Sequence, residues 1–160
     1  MVRREDTESD RVGDLAAGDF ELFRHLPHLL RRAHFEAEAL FPLVYGEEVT
    51  SRQLALLTAV GQRPGLSQSA VAQQIGIDLN TCSDLVARLV AKKLLRRERS
   101  QIDGRTYALH LAPKGGRAFE EGIEKAAAYR ESVSRRLTPA EHERLVVLLR
   151  RLLGLESSKL

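Results

Sequence analysis

A single cysteine in 160 residues excludes an intramolecular disulfide framework. No apolar run approaches the ~20 residues that span a bilayer, so no membrane partner is expected. The stretch Met1 to Asp10 is charged and carries no signal-peptide core, so the chain is expected to be cytoplasmic. Charge of one sign is also scarce: 25 basic against 22 acidic residues leave a net charge of only +3. The chain as a whole is not a polycation, and any case for nucleic-acid binding rests on where the arginines sit.

Chemistry-bearing motifs are equally sparse. There is no nucleophile elbow, phosphate loop or zinc-protease motif, so no enzyme is expected. His25 and His28 are three apart, but no cysteine or carboxylate completes a tetrahedral set on that face, His34 falls on another face, and His142-Glu143 has no histidine four residues on. No metal or other cofactor is expected. What remains is 43% hydrophobic content, enough for one domain's core.

The informative stretch runs from Ser67 to Gly115. Ser67 can accept from free N–H groups of a following helical turn, and Val71, Ala72 and Ile75 form that helix's inner face. Ala72 and Gly76 stand four apart, a spacing that suits a tight inter-helix turn. Asp78 then caps a second helix, in which Leu79, Cys82, Leu85, Val86 and Leu89 fall on one stripe. Asn80, Thr81, Ser83, Asp84, Ala87 and Arg88 are left outside, and short polar side chains near a helix start can reach base edges in a major groove. Cys82 sits in the apolar stripe and reads as core.

After Leu95 the period changes from helical to alternating. Tyr107, Leu109 and Leu111 point one way and Thr106, Ala108 and His110 the other, and Leu95 to Arg99 can pair antiparallel with them. Between the strands, Ser100 to Arg105 holds the turn signal Asp103-Gly104. Arg96, Arg97, Arg99 and Arg105 give this hairpin a cationic density suited to a minor groove. Helix, turn, helix and basic hairpin together predict a winged helix-turn-helix that binds double-stranded DNA.

These residues resemble the MarR family of transcriptional regulators. The resemblance is carried by Asp103-Gly104-Arg105, by Leu111-Ala112-Pro113-Lys114-Gly115, and by Gly65-Leu66-Ser67-Gln68 leading into Ala72 and Gly76. It covers roughly Phe20 to Leu153. Lys93 takes the place where the family usually has glycine, Asp84 a place where a basic residue is common, and Ala112 replaces a usual threonine. The expected DNA contacts are Ser67, Gln68, Asn80, Thr81, Ser83, Arg88, Arg97, Arg99 and Arg105, with Asp103 orienting the wing.

Around this stretch, Phe20 to Tyr45 reads as a long helix with Phe23, Leu26, Leu30, Ala33, Ala37, Leu40 and Phe41 on one face; at Pro27 it either kinks or restarts. Thr50 and Gln53 make a capping box for a helix with Leu54, Leu57 and Val60 inside. A helix from about Lys114 to Arg136 carries Phe119, Ile123, Ala126, Tyr129 and Val133. Thr138-Pro139-Ala140-Glu141 starts the last one. The fold class is therefore mainly α with a small β-hairpin wing: a winged helix-turn-helix lobe plus a helical dimerisation region. Its expected parts are an arm (1–14), an N-terminal dimerisation helix (15–48), the winged lobe (49–112), C-terminal dimerisation helices (113–155) and a tail (156–160).

Leu145, Val146, Leu148, Leu149, Leu152 and Leu153 exceed what one terminal helix buries against its own chain. A homodimer would cover them and set two recognition helices ~34 Å apart on a pseudo-palindromic operator. Phe23, Leu26, Leu145, Leu148, Leu149 and Leu152 are the expected dimer residues. The resemblance further implies a repressor released by a small aromatic effector, a phenol, an aromatic carboxylate or its thioester. Arg31, His34, Phe35, Glu38 and Tyr45 are the candidates to hold it: a cation for a carboxylate and an aromatic face for the ring. The alternative is a non-sequence-specific nucleic-acid or protein-binding module without an effector.

Overall fold

Four of the six described α-helices begin at a residue whose side chain replaces a missing backbone partner. The computed structural model describes residues 21–99 and 107–155, so the 1–14 arm, the 156–160 tail, Thr106 and the Ser100 to Arg105 turn with Asp103 and Arg105 lie outside them. The described chain divides into two compact units at residue 35. In the first, a 3-10 turn (Leu22–Arg24) ends at His25, and α1 (Leu26–Tyr45) starts with Pro27 in its first turn. The helix thus restarts at the proline, where no amide partner is needed. Arg32 lies 5.5 Å over the Phe23 ring.

The second unit takes up α1 from Glu36. Its helices are α2 (Ser51–Gln62), α3 (Gln68–Ile75), α4 (Leu79–Ala91), α5 (Pro113–Ser134) and α6 (Pro139–Leu152). Thr50 with Gln53 and Thr138 with Glu141 form full capping boxes. Ser67 Oγ accepts from Ala70 N at 3.2 Å, and Asp78 Oδ1 from Thr81 N at 2.9 Å. Between those two caps, Gly76 adopts φ 72°, a left-handed turn that glycine enters without a Cβ penalty.

A two-stranded antiparallel hairpin, β1 (Leu95–Arg99) and β2 (Tyr107–Leu111), follows α4 in the register Leu95↔Leu111, Arg97↔Leu109, Arg99↔Tyr107. The segment before α3 adds a third, short partner: Gly65 N donates to Leu109 O and Leu109 N to Leu66 O, both at 2.9 Å. The core lies between these elements, with Leu57, Val60, Val71, Cys82, Val86 and Leu109 fully buried. Each such side chain contributes about 1.5–3 kcal/mol relative to exposure.

The expected inner faces need three corrections. Leu79 is 54% exposed, because it is the first residue of α4 and precedes the turn that packs on the core. Ile123 and Val133 are exposed too, and the buried face of α5 is built on Gly115 and Gly122. Small residues there let α5 approach closely: a Cβ on Gly115 would collide with the Leu94 carbonyl. On β2, only Leu109 is buried, while Tyr107 is exposed and Leu111 half-buried; on β1, Leu95 is buried.

Helix α4 hands over to β1 through Lys93, at φ 58°. Lys93 N donates to Val90 O and Leu94 N to Leu89 O, each at 2.9 Å. This is the Schellman arrangement, in which a left-handed residue just past the helix end satisfies its last carbonyls. No described helix is long and apolar enough to cross a membrane.

Candidate functional site

Asn80, Thr81 and Ser83 occupy the first turns of α4, the end at which backbone amides point outward. Asn80 and Ser83 are exposed. The Thr81 hydroxyl and amide both donate to Asp78, and these bonds hold the Asp78 carboxyl below the usual carboxylate range. Gln68 Nε2 donates to Ser83 Oγ at 2.7 Å, which ties the starts of α3 and α4 together. Ser67 Oγ, besides capping α3, lies 3.0 Å from Ser69 Oγ. Arg88 is exposed in the last turn of α4.

On the hairpin, strand alternation puts Arg97 and Arg99 on one face and Arg96 and Glu98 on the other. Arg96 is ion-paired with Glu98, whose other oxygen lies 3.4 Å from His110 Nε2. The cationic density of the described wing is therefore carried by Arg97 and Arg99. Asn80, Ser83 and Arg88 on α4 join them as exposed polar candidates of the lobe. Cys82 is buried beneath this surface, and burial, with Asp78 nearby, pushes its thiol up. That environment suits a core residue and not a reactive thiol.

A second feature was not assembled by the sequence reading. Within the second unit, a cleft of about 420 Å³ is lined by residues of four helices: Phe41 and Tyr45 of α1, Ser51, Leu54 and Gln62 among those of α2, Gln74 and Ile75 of α3, and Tyr129 of α5. The Phe41 and Tyr45 rings stack at 4.5 Å, and Tyr129 meets both edge-on at 5.6 and 5.4 Å. Tyr129 OH donates to Ala37 O at 2.9 Å, Tyr45 OH to Gly122 O at 3.3 Å, and Ser51 Oγ to Glu38 Oε1 at 2.5 Å. Burial first, then the Glu38 charge and Tyr45, raises the Tyr129 phenol above its ordinary value.

Of the expected effector residues, Tyr45 lines this cleft and Glu38 reaches it through Ser51. Arg31, His34 and Phe35 belong to the first unit. There the Arg31 guanidinium lies 5.9 Å from the Phe35 ring centroid and 3.1 Å from His28 Nδ1, and His34 lies tilted against Phe35 at 6.0 Å. Phe41, Ser51, Gln74 and Tyr129 were missed as site residues. The available signal was a polar tip on an otherwise apolar helix face, at Tyr129.

Exposed apolar side chains concentrate at the chain's two ends. Leu145, Leu148 and Leu152 of α6 are exposed, Leu149 is half-buried, and Phe23 and Leu26 are exposed in the first unit. Among the described residues, no group of three or more His, Cys, Asp or Glu gathers where it could hold a metal ion.

Comparison with known proteins gives consistent matches. The sequence pattern of the MarR family matches residues 48–106. A Thauera aromatica protein assigned as transcriptional regulator of the hcr operon is 34% identical over 125 residues, covering 77% of this chain and 75% of its own length. The structure of the PcaV transcriptional regulator from Streptomyces coelicolor with its natural ligand superposes with a TM-score of 0.79 at 31% identity, over 84% of this chain and 96% of PcaV. Bordetella bronchiseptica BpsR, whose DNA binding is regulated by 6-hydroxynicotinic acid, gives 0.73 at 31% identity, over 79% of this chain and 97% of BpsR.

Proposed function

The chain belongs to the MarR family and is a transcriptional regulator; from that premise we propose that it is a homodimeric repressor, released from a pseudo-palindromic operator when a small aromatic effector fills the Phe41–Tyr45–Tyr129 cleft. The carrying observation is the membership of the cleft wall. Gln74 and Ile75 belong to α3, the first helix of the helix-turn-helix pair, while the aromatic rings come from α1 and α5. An occupant therefore touches the lobe directly and biases its position by whatever affinity difference it has between two arrangements. The ligand-bound PcaV structure and the control of BpsR by 6-hydroxynicotinic acid support a small aromatic occupant.

In this reading Asn80, Ser83 and Arg88 face the major groove and Arg97 and Arg99 the flanking phosphates or minor groove. A second copy covers the exposed leucines of α6 together with Phe23 and Leu26. Selection from a random duplex pool, followed by fluorescence anisotropy, tests this function. A repressor prefers one pseudo-palindrome by about 10³-fold or more over random duplex, and an aromatic ligand releases it. Binding with a salt slope but no such preference would identify a non-specific module instead.

A further inference from the structure

Thr81 and Ser83 look equivalent in sequence, yet their hydroxyls have opposite polarities in the fold. The Thr81 hydroxyl donates to Asp78 Oδ2 at 2.6 Å, so its proton is spent inside the cap and lone pairs remain. Ser83 Oγ instead accepts from Gln68 Nε2 at 2.7 Å. That bond takes a lone pair and leaves the proton. Ser132 and Ser134 of α5 show the alternative open to a helical serine, donation to the carbonyl four residues back, at Ala128 and Arg130. Gln68, the first residue of α3, is fixed at its main chain as well: its carbonyl accepts from Cys82 Sγ at 3.5 Å. Cys82 is fully buried and adjoins Ser83 in α4, so the Gln68 amide has a short, fixed reach to the Ser83 hydroxyl. Ser83 itself is exposed, on a stripe with Asn80 and Ala87 at helical spacing.

Resting on the reading of α4 as the major-groove helix, we propose that Gln68 is a positioning residue that sets Ser83 as a hydrogen-bond donor, and that Ser83 thereby reads a base by its acceptor edge. In the major groove guanine offers O6 and N7 and thymine offers O4, all acceptors, whereas cytosine offers the N4 amino donor. Donation from Gln68 also polarises the Ser83 O–H, because hydrogen bonds in a chain strengthen one another. A cytosine amino group at the same place meets a proton instead of a lone pair, and two desolvated donors are left unsatisfied. Each half-site therefore prefers guanine or thymine over cytosine at the position facing Ser83. Gln68 acts there through the serine and not through a base of its own.

The test uses the full-length protein, its operator obtained by selection from a random duplex pool, and competition against every single-base variant of that operator. Wild type should favour guanine or thymine over cytosine by about fivefold or more at one position per half-site, and Ser83→Ala should erase that preference. Gln68→Ala should cut the same ratio by about twofold or more and leave other positions unchanged, because a serine without that partner can turn to give or accept. Gln68→Glu is nearly isosteric but its carboxylate only accepts. It should take the Ser83 proton, leave lone pairs in the groove and shift the preference toward cytosine, while its charge lowers affinity for all duplexes alike. An unchanged ratio in Gln68→Ala, or a Gln68→Glu chain that keeps the wild-type base, would overturn the coupling. If Ser83→Ala relaxes no position, the readout itself is overturned. A wild-type chain that prefers no sequence would instead overturn the operator reading of the proposed function, and this inference with it.

Discussion

Lys93 is a long, charged side chain held at φ 58°, where a Cβ costs roughly 1–2 kcal/mol. Lys93→Gly removes that cost. Glycine also gives the unfolded chain more freedom, which offsets roughly 0.5–1 kcal/mol of the gain. The net expectation is a stabilisation of about 0.5–1 kcal/mol, or a Tm increase of roughly 1–4 °C for a chain of this size. Lys93→Ala keeps the Cβ and should stay near wild type, so the Gly–Ala difference isolates the backbone contribution from the loss of the lysine charge. Scanning calorimetry at one fixed protein concentration reads this, since a dimer's Tm depends on concentration. A glycine variant no more stable than the alanine variant would refute the left-handed assignment at the α4–β1 junction.

Four further outcomes are expected. Gly115→Ala drives a Cβ into the Leu94 carbonyl that accepts from Ala112 N; it should cost about 1–3 kcal/mol or more, and an unchanged Tm would contradict the close approach. The double variant Arg97→Ala, Arg99→Ala should weaken DNA binding across sequences and reduce the salt slope by about two, with the dimer intact by light scattering; an unchanged slope would remove the described wing from the contact. Leu148→Asp should give a folded monomer by circular dichroism and gel filtration and lose full-site affinity, and a persisting dimer would exclude α6 as the interface. The Asp78 carboxyl is depressed by its bonds from Thr81, so its stabilisation is complete above the ordinary aspartate range and is lost as pH falls through its lowered value. Protection of the Thr81 amide, relative to its intrinsic exchange rate at each pH, should fall in that acid window, less so in Asp78→Asn; pH-independent protection would show that the cap does not titrate.

The parts of this molecule legible in its sequence are those fixed by neighbours a few positions away. Thr50, Ser67, Asp78 and Thr138 cap their helices because the side chain and the amide it serves are three residues apart. The β1–β2 register follows from alternation around Leu109. Burial was harder to read: Ile123 looked like core, yet α5 packs through Gly115 and Gly122, and proximity of backbones leaves no hydrophobic signal. The cleft was legible only at Tyr45 and Glu38, since its assembly depends on pairs such as Ala37 and Tyr129, 92 positions apart, and no local period reports such a meeting.

The two main-chain bonds that Leu109 exchanges with Gly65 and Leu66 make the wing and the start of α3 one continuous piece of sheet and helix. Gln68 extends that piece to α4 through Ser83. Helix α4 and the arginine-bearing strands thus share a single lever arm, whose far end is the Gln74–Ile75 turn of α3. A push of a fraction of an ångström at that turn is delivered to both gripping elements together. Under the proposed operator binding, loosening of α4 without loosening of the strands is therefore disfavoured, and release of each proposed half-site is expected to be close to all-or-none.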